Sequence, residues 1–187
     1  MTVLAANTST WAWYFSRATG TIALVLLTAI LVLGVLGPLR VSTELWPRFA
    51  IGTLHRDAAL LALVLVAIHV LTITADAYVR VPLTAAILPV GSSYAPVWTG
   101  LGAIAFDLML ALVGTSLLRA RLGFRAWRLV HWSAYLCWPL AVAHGIATGT
   151  DASSAWYLIV TVVCIAVAVV AVAMRVQGGS AAGSLEV

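Results

Sequence analysis

The chain has 187 residues, 63% of them hydrophobic and only 9% charged, with a formal net charge of +4 and a mean hydropathy of +1.08. A soluble domain carries charge on about a quarter of its residues, so this chain cannot cover itself in that way and its outer surface must face lipid. Its basic residues are all arginine and lie between apolar runs rather than in one patch, which excludes a nucleic-acid partner.

Five membrane spans are expected in an all-α bundle. The first runs from about Ala18 to Gly37 and ends at Gly37-Pro38, and no cleavable signal peptide precedes it. The second starts near Pro47, a first-turn proline, and ends near Asp76. The third runs from about Val97 to Leu118, the fourth from Ala126 to Thr148 and the fifth from Trp156 to Ala173. Aromatic residues mark the ends: Trp11, Trp13, Tyr14, Tyr94, Trp98, Trp127, Trp132, Trp156 and Tyr157. The loop between spans 2 and 3 has an apolar middle, Leu83 to Val90, and is expected to lie back on the membrane as a short helix or cap. Residues 1–177 form the membrane domain, and 178–187 read as a flexible linker or tag remnant.

Arginines set the orientation. Arg40, Arg48, Arg56, Arg119, Arg121, Arg125, Arg128 and Arg175 fall on one side of a five-span chain, and only Arg17 and Arg80 on the other. The positive-inside rule then places the N-terminus outside and the C-terminus in the cytoplasm. Cys137 and Cys164 both lie inside apolar runs and read as small buried hydrophobes.

The four histidines carry the chemistry. His55 and His69 stand fourteen apart in span 2, and His131 and His144 thirteen apart in span 4. Both spans run from inside to outside, so His55 is level with His131 and His69 with His144. At 1.5 Å rise per residue the two levels are about 20 Å apart. Haem iron bound by two imidazoles needs one histidine from each of two facing helices, so the pattern predicts an inner and an outer site, each holding one haem b. Ligands about 20 Å apart cannot share a single zinc or copper ion. In an ideal helix the span 2 pair is about 40° apart, on one face, but the span 4 pair is about 140° apart. Pro139 lies between the latter two and is expected to rewind the helix.

Two stretches, LHRDAALLALVLVAIHV from Leu54 to Val70 and WRLVHWSAYLCWPLAVAHG from Trp127 to Gly145, resemble the ferric reductase-like transmembrane domain family, which includes the membrane parts of NADPH oxidases and ferric reductases. WYFSRATG, from Trp13 to Gly20, resembles the start of small bacterial members. The resemblance implies a bundle with two stacked b haems, His55, His69, His131 and His144 as axial ligands, and residence in a prokaryotic cytoplasmic membrane. It also implies electron transfer from a cytoplasmic donor, a separate flavoprotein or quinol, to an outer acceptor whose identity is open. The larger family enzymes carry a flavin- and NADPH-binding domain; no nucleotide-binding glycine loop occurs in this chain, so an NADPH-driven reaction of its own is not expected.

Haem propionates need cationic partners. Arg48, Arg56, Arg125 and Arg128 are candidates on the inner side, and Arg17 and Arg80 on the outer; interfacial anchoring is the competing role for each. Trp138, between the span 4 histidines, is either an aromatic bridge between haems or a packing residue. Gly145 and Gly52 either admit a flat macrocycle or let helices pack closely. Asp107, mid-span, either moves protons or bonds Thr115 or Ser133 to fix packing. Asp76, Tyr78, Arg80 and Asp151 could frame an outer acceptor site. The rival readings are a haem anchor or relay subunit of a larger redox complex, a haem sensor, and a haem-free proton or metal transporter.

Overall fold

Long apolar runs without interior charge pairs favour helices, since only a helix satisfies its own backbone groups in lipid. A computed structural model describes residues 2–39, 46–76, 79 and 81–183, with side chains for those between 11 and 177. Arg40, Tyr78 and Arg80 lie outside the described residues, as do residues 184–187. The regular structure among the described residues is helical: α1 (Thr2–Leu36), α2 (Arg48–Ala75), α3 (Pro96–Leu117), α4 (Arg119–Leu122), α5 (Phe124–His131), α6 (Ala134–Thr148) and α7 (Ala155–Gly183). Four of these are long and apolar enough to cross a membrane: Trp11–Leu36 within α1, α2, α3 and Ala155–Gln177 within α7. The chain is therefore a multi-pass, all-helical membrane protein.

Boundaries follow local chemistry. Pro47 precedes α2 in extended conformation and Asp76 ends it, with the Val79 N–H donating to Asp76 Oδ1 at 3.1 Å. Pro96 opens α3, and Ala95 before it takes the left-handed conformation (φ 39°). Between α2 and α3 a single 3-10 turn forms at Leu83–Ala86, within the segment expected as a cap, and the buried Val79, Val81 and Ala85 pack there against Trp13, Ile73 and Tyr94.

The expected fourth span is not one helix. It divides into α5 and α6 at Trp132–Ser133, ahead of Pro139, which sits inside α6. The N–H groups of Ser133, Tyr135 and Leu136 bond carbonyls three residues back, at 2.9, 3.2 and 3.0 Å, and the Ser133 hydroxyl takes the Val130 carbonyl at 2.7 Å. Each such tightened step turns the chain about 120° rather than 100°, so three of them recover about 60° of the 140° offset between His131 and His144. The rewinding expected at Pro139 thus falls instead at a serine-driven break six residues earlier.

In the bundle α1 packs along α2, and α3 along α6, while α1 also touches α6 and α7. The histidine-bearing helices α2 and α6 scarcely touch each other. They face one another across a slot walled by α1 and α3.

Candidate metal centre

The slot brings the histidines together in the expected pairs. The His55 and His131 ring centres are 6.1 Å apart, and those of His69 and His144 are 6.2 Å apart. Two imidazole nitrogens each about 2 Å from one metal ion put the ring centres about 6 Å apart. No group of three or more His, Cys, Asp or Glu gathers among the described residues.

The second nitrogen of each ring has its own partner in three cases. His55 Nδ1 lies 3.0 Å from the Ile30 carbonyl oxygen, His69 Nδ1 2.7 Å from that of Ser16, and His144 Nδ1 2.9 Å from that of Trp98. A carbonyl only accepts, so in each case Nδ1 is the N–H donor. The tautomer is thereby fixed with the Nε2 lone pair free, which is the state a metal-ligating histidine requires. His131 differs: its Nδ1 is buried with no hydrogen-bond partner among the described residues, and its ring stacks on Trp127 at 4.7 Å and 26°.

Glycines seat the three anchored rings. A Cβ added at Gly20 would lie 3.0 Å from His69 Cε1, one at Gly34 3.2 Å from His55 Cε1, and one at Gly102 2.5 Å from His144 Nδ1. None of these three stood out in the sequence, yet a signal was present: Gly20 and Gly34 are fourteen apart, the same interval as His55 and His69 on the antiparallel helix beside them. Gly145 instead leaves room for the Tyr157 hydroxyl on α7, and Gly52 faces open space.

A cavity of about 200 Å³ opens between His69 and His144, lined by Val66, Ala105, Phe106 and Met109. At its far rim Arg17 forms an ion pair with Asp151 and donates to Thr150 Oγ1 at 2.6 Å, while the Tyr94 hydroxyl donates to the Thr148 carbonyl at 2.9 Å. Asp151 thus meets Arg17 directly.

Between the two histidine levels Trp138 reaches from α6 to α1, its indole N–H donating to Thr28 Oγ1 at 3.0 Å. Thr28 is buried and donates onward to the Leu24 carbonyl. Thr28→Val keeps the shape and removes the acceptor. Stranding the indole N–H is expected to cost about 1–3 kcal/mol, read as a lowered unfolding temperature in detergent. An unchanged transition would mean that the indole finds another acceptor.

Arg48, Arg125 and Arg128 are exposed at the end of the bundle that holds His55 and His131; Arg56, also exposed, pairs with Asp57 at 3.1 Å. Asp107 bonds neither expected partner: Thr115 Oγ1 donates to Ala111 O at 2.6 Å, and the Ser133 hydroxyl to Val130 O.

This arrangement suits a flat metallocofactor gripped from both sides inside a membrane. A family model described as the ferric reductase like transmembrane component matches residues 19–142. The chain belongs to that family. The matched region takes in His55, His69 and His131 and ends two residues before His144. Membership in the ferric reductase-like family points to transmembrane electron transfer in general, to a group often haem-binding, and to work beside separate redox partners. No curated protein and no solved structure gave a match.

Proposed function

We propose that this ferric reductase-like chain carries electrons across a prokaryotic cytoplasmic membrane by means of two b haems. His55 and His131 hold one, and His69 and His144 the other. The observation that carries the reading is the pair of imidazole pairs, each spaced for one shared metal ion, with three of the four tautomers fixed by carbonyls. Haem b supplies a one-electron couple in which the protein gives up no atom.

The protein's own residues supply position, polarity and access. The Ile30, Ser16 and Trp98 carbonyls orient the rings. Gly20, Gly34 and Gly102 let the rings approach the neighbouring helices. Arg48, Arg125 and Arg128 are the candidate cations for propionates at the His55–His131 end, where Arg56 is shared with Asp57. The arginine majority puts this end in the cytoplasm, so the N-terminus is outside. The donor is then a cytoplasmic flavoprotein or a quinol, and the acceptor lies on the outer side; ferric chelates, oxygen, quinone and a partner redox protein are the candidate classes.

The test is the haem content of the purified protein, read from its absorbance spectrum and pyridine haemochrome. Two b haems per chain are expected. None, after haem-replete expression, would sink the reading and favour a transporter.

A further inference from the structure

Three of the four imidazoles use the same small device. The accepting carbonyls belong to Ser16, Ile30 and Trp98, and the glycines that face the rings, Gly20, Gly34 and Gly102, each come four residues later. In an α-helix the side chain four residues on leans back over the preceding turn. A glycine at that position bares the carbonyl to a donor arriving from the side.

His131 has no such seat. Counting thirteen residues back from His144 and thirteen forward from Gly102 on the antiparallel α3 pairs His131 with Thr115. There the glycine is replaced by a threonine whose hydroxyl already occupies the Ala111 carbonyl, four residues earlier, at 2.6 Å. His131 lies instead on Trp127, and the Arg119 guanidinium carbon is 4.4 Å from the centre of that indole.

We propose that the two haem sites are unequal by construction, the His55–His131 site holding iron at the higher reduction potential. The proposal rests on the haem reading above. Two independent features act in the same direction. A carbonyl on Nδ1–H makes an imidazole a stronger donor and favours ferric iron; the His69–His144 site has two such bonds and the His55–His131 site one. Positive charge near iron favours the ferrous state. Arg119, Arg121, Arg125 and Arg128 crowd α4 and α5, which contain no acidic residue, whereas Arg17 at the other end is paired with Asp151. An electron entering from the cytoplasm therefore rests at the His55–His131 site. Its release outward depends on the membrane potential, which draws negative charge out of the cell, or on an acceptor that removes it.

Spectroelectrochemistry of the haem-loaded protein tests this. Two waves are expected in the wild type, and His144→Ala, which spares the His55–His131 site, should keep the upper one. Arg119→Gln, an exposed substitution, should lower the upper wave alone. Thr115→Gly, which frees the Ala111 carbonyl for His131, should lower the same wave and shift the electron paramagnetic resonance g-values of that haem. A surviving lower wave in His144→Ala, coincident wild-type waves, or movement of the lower wave in Arg119→Gln or Thr115→Gly would overturn the proposal. A wild-type protein with no haem would overturn the function reading as well, whereas two haems in the reverse order would overturn this inference alone.

Discussion

His144→Ala is expected to halve the haem content, from two per chain to one. Among the described residues the His69–His144 pair has no third His, Cys, Asp or Glu grouped with it that could replace the lost ligand, and one imidazole cannot supply both axial bonds. The surviving haem should keep the low-spin spectrum of two axial imidazoles, because His55 and His131 meet at their own level, with no contact to the substituted position. Pyridine haemochrome per chain, with electron paramagnetic resonance on the same sample, measures both quantities. Two bis-imidazole haems in the variant would remove His144 from the ligand set. The mirror experiment, His131→Ala, should leave the other haem, and the two variants together should leave none.

Gly102→Ala should do much of the same damage without touching a ligand. The added Cβ would fall 2.5 Å from His144 Nδ1, 2.6 Å from Cε1 and 2.9 Å from Cγ. No rotation of a methyl group relieves three such contacts, so the imidazole is expected to shift and its bond to the Trp98 carbonyl to weaken or break. Loss of the group that orients a metal-ligating histidine commonly costs about 10–100-fold in metal affinity, and that is the expected fall in haem affinity at this site, measured by titrating haem into the apoprotein. Helix propensity runs the other way, since alanine is favoured over glycine by about 1 kcal/mol in a helix interior. A helix that is no less stable while the site is weakened would separate seating from folding. Gly52→Ala is the control: that position faces open space, and no change in haem binding is expected.

Much of this architecture was legible in the chain. Apolar run lengths placed α2 and α3 within a residue of their observed ends, because Pro47 and Pro96 start helices, and Asp76 ends one, by local rules that need no tertiary context. The histidine pairs were legible for a similar reason: spacing along two parallel-running segments translates directly into depth. The break at Trp132–Ser133 was not. It depends on the Ser133 hydroxyl competing for the Val130 carbonyl, and serine does this in some helices and not in others. Asp107 misled in another way, since the hydroxyls of Thr115 and Ser133 bond their own helices. The glycine seats were missed because a glycine is informative only beside the residue it faces, and that partner lies on another helix. The pairing of Arg17 with Asp151 was not legible either, because it depends on how the loop after α6 folds back over α1.

The matched intervals of fourteen on α1 and α2 restrict how this stretch of sequence can change. A substitution between Gly20 and Gly34 acts at its own position, as Thr28→Val would through Trp138, and leaves both seats in register. A single-residue insertion there would instead turn one seat about 100° away from its histidine and slide it about 1.5 Å along the axis, and no compensating change at a neighbouring residue restores both levels at once. Length in this segment is thus held more tightly than composition. Any relative using the same seats should vary freely in the apolar letters between the two glycines while leaving their number untouched, or change it only together with the interval from His55 to His69.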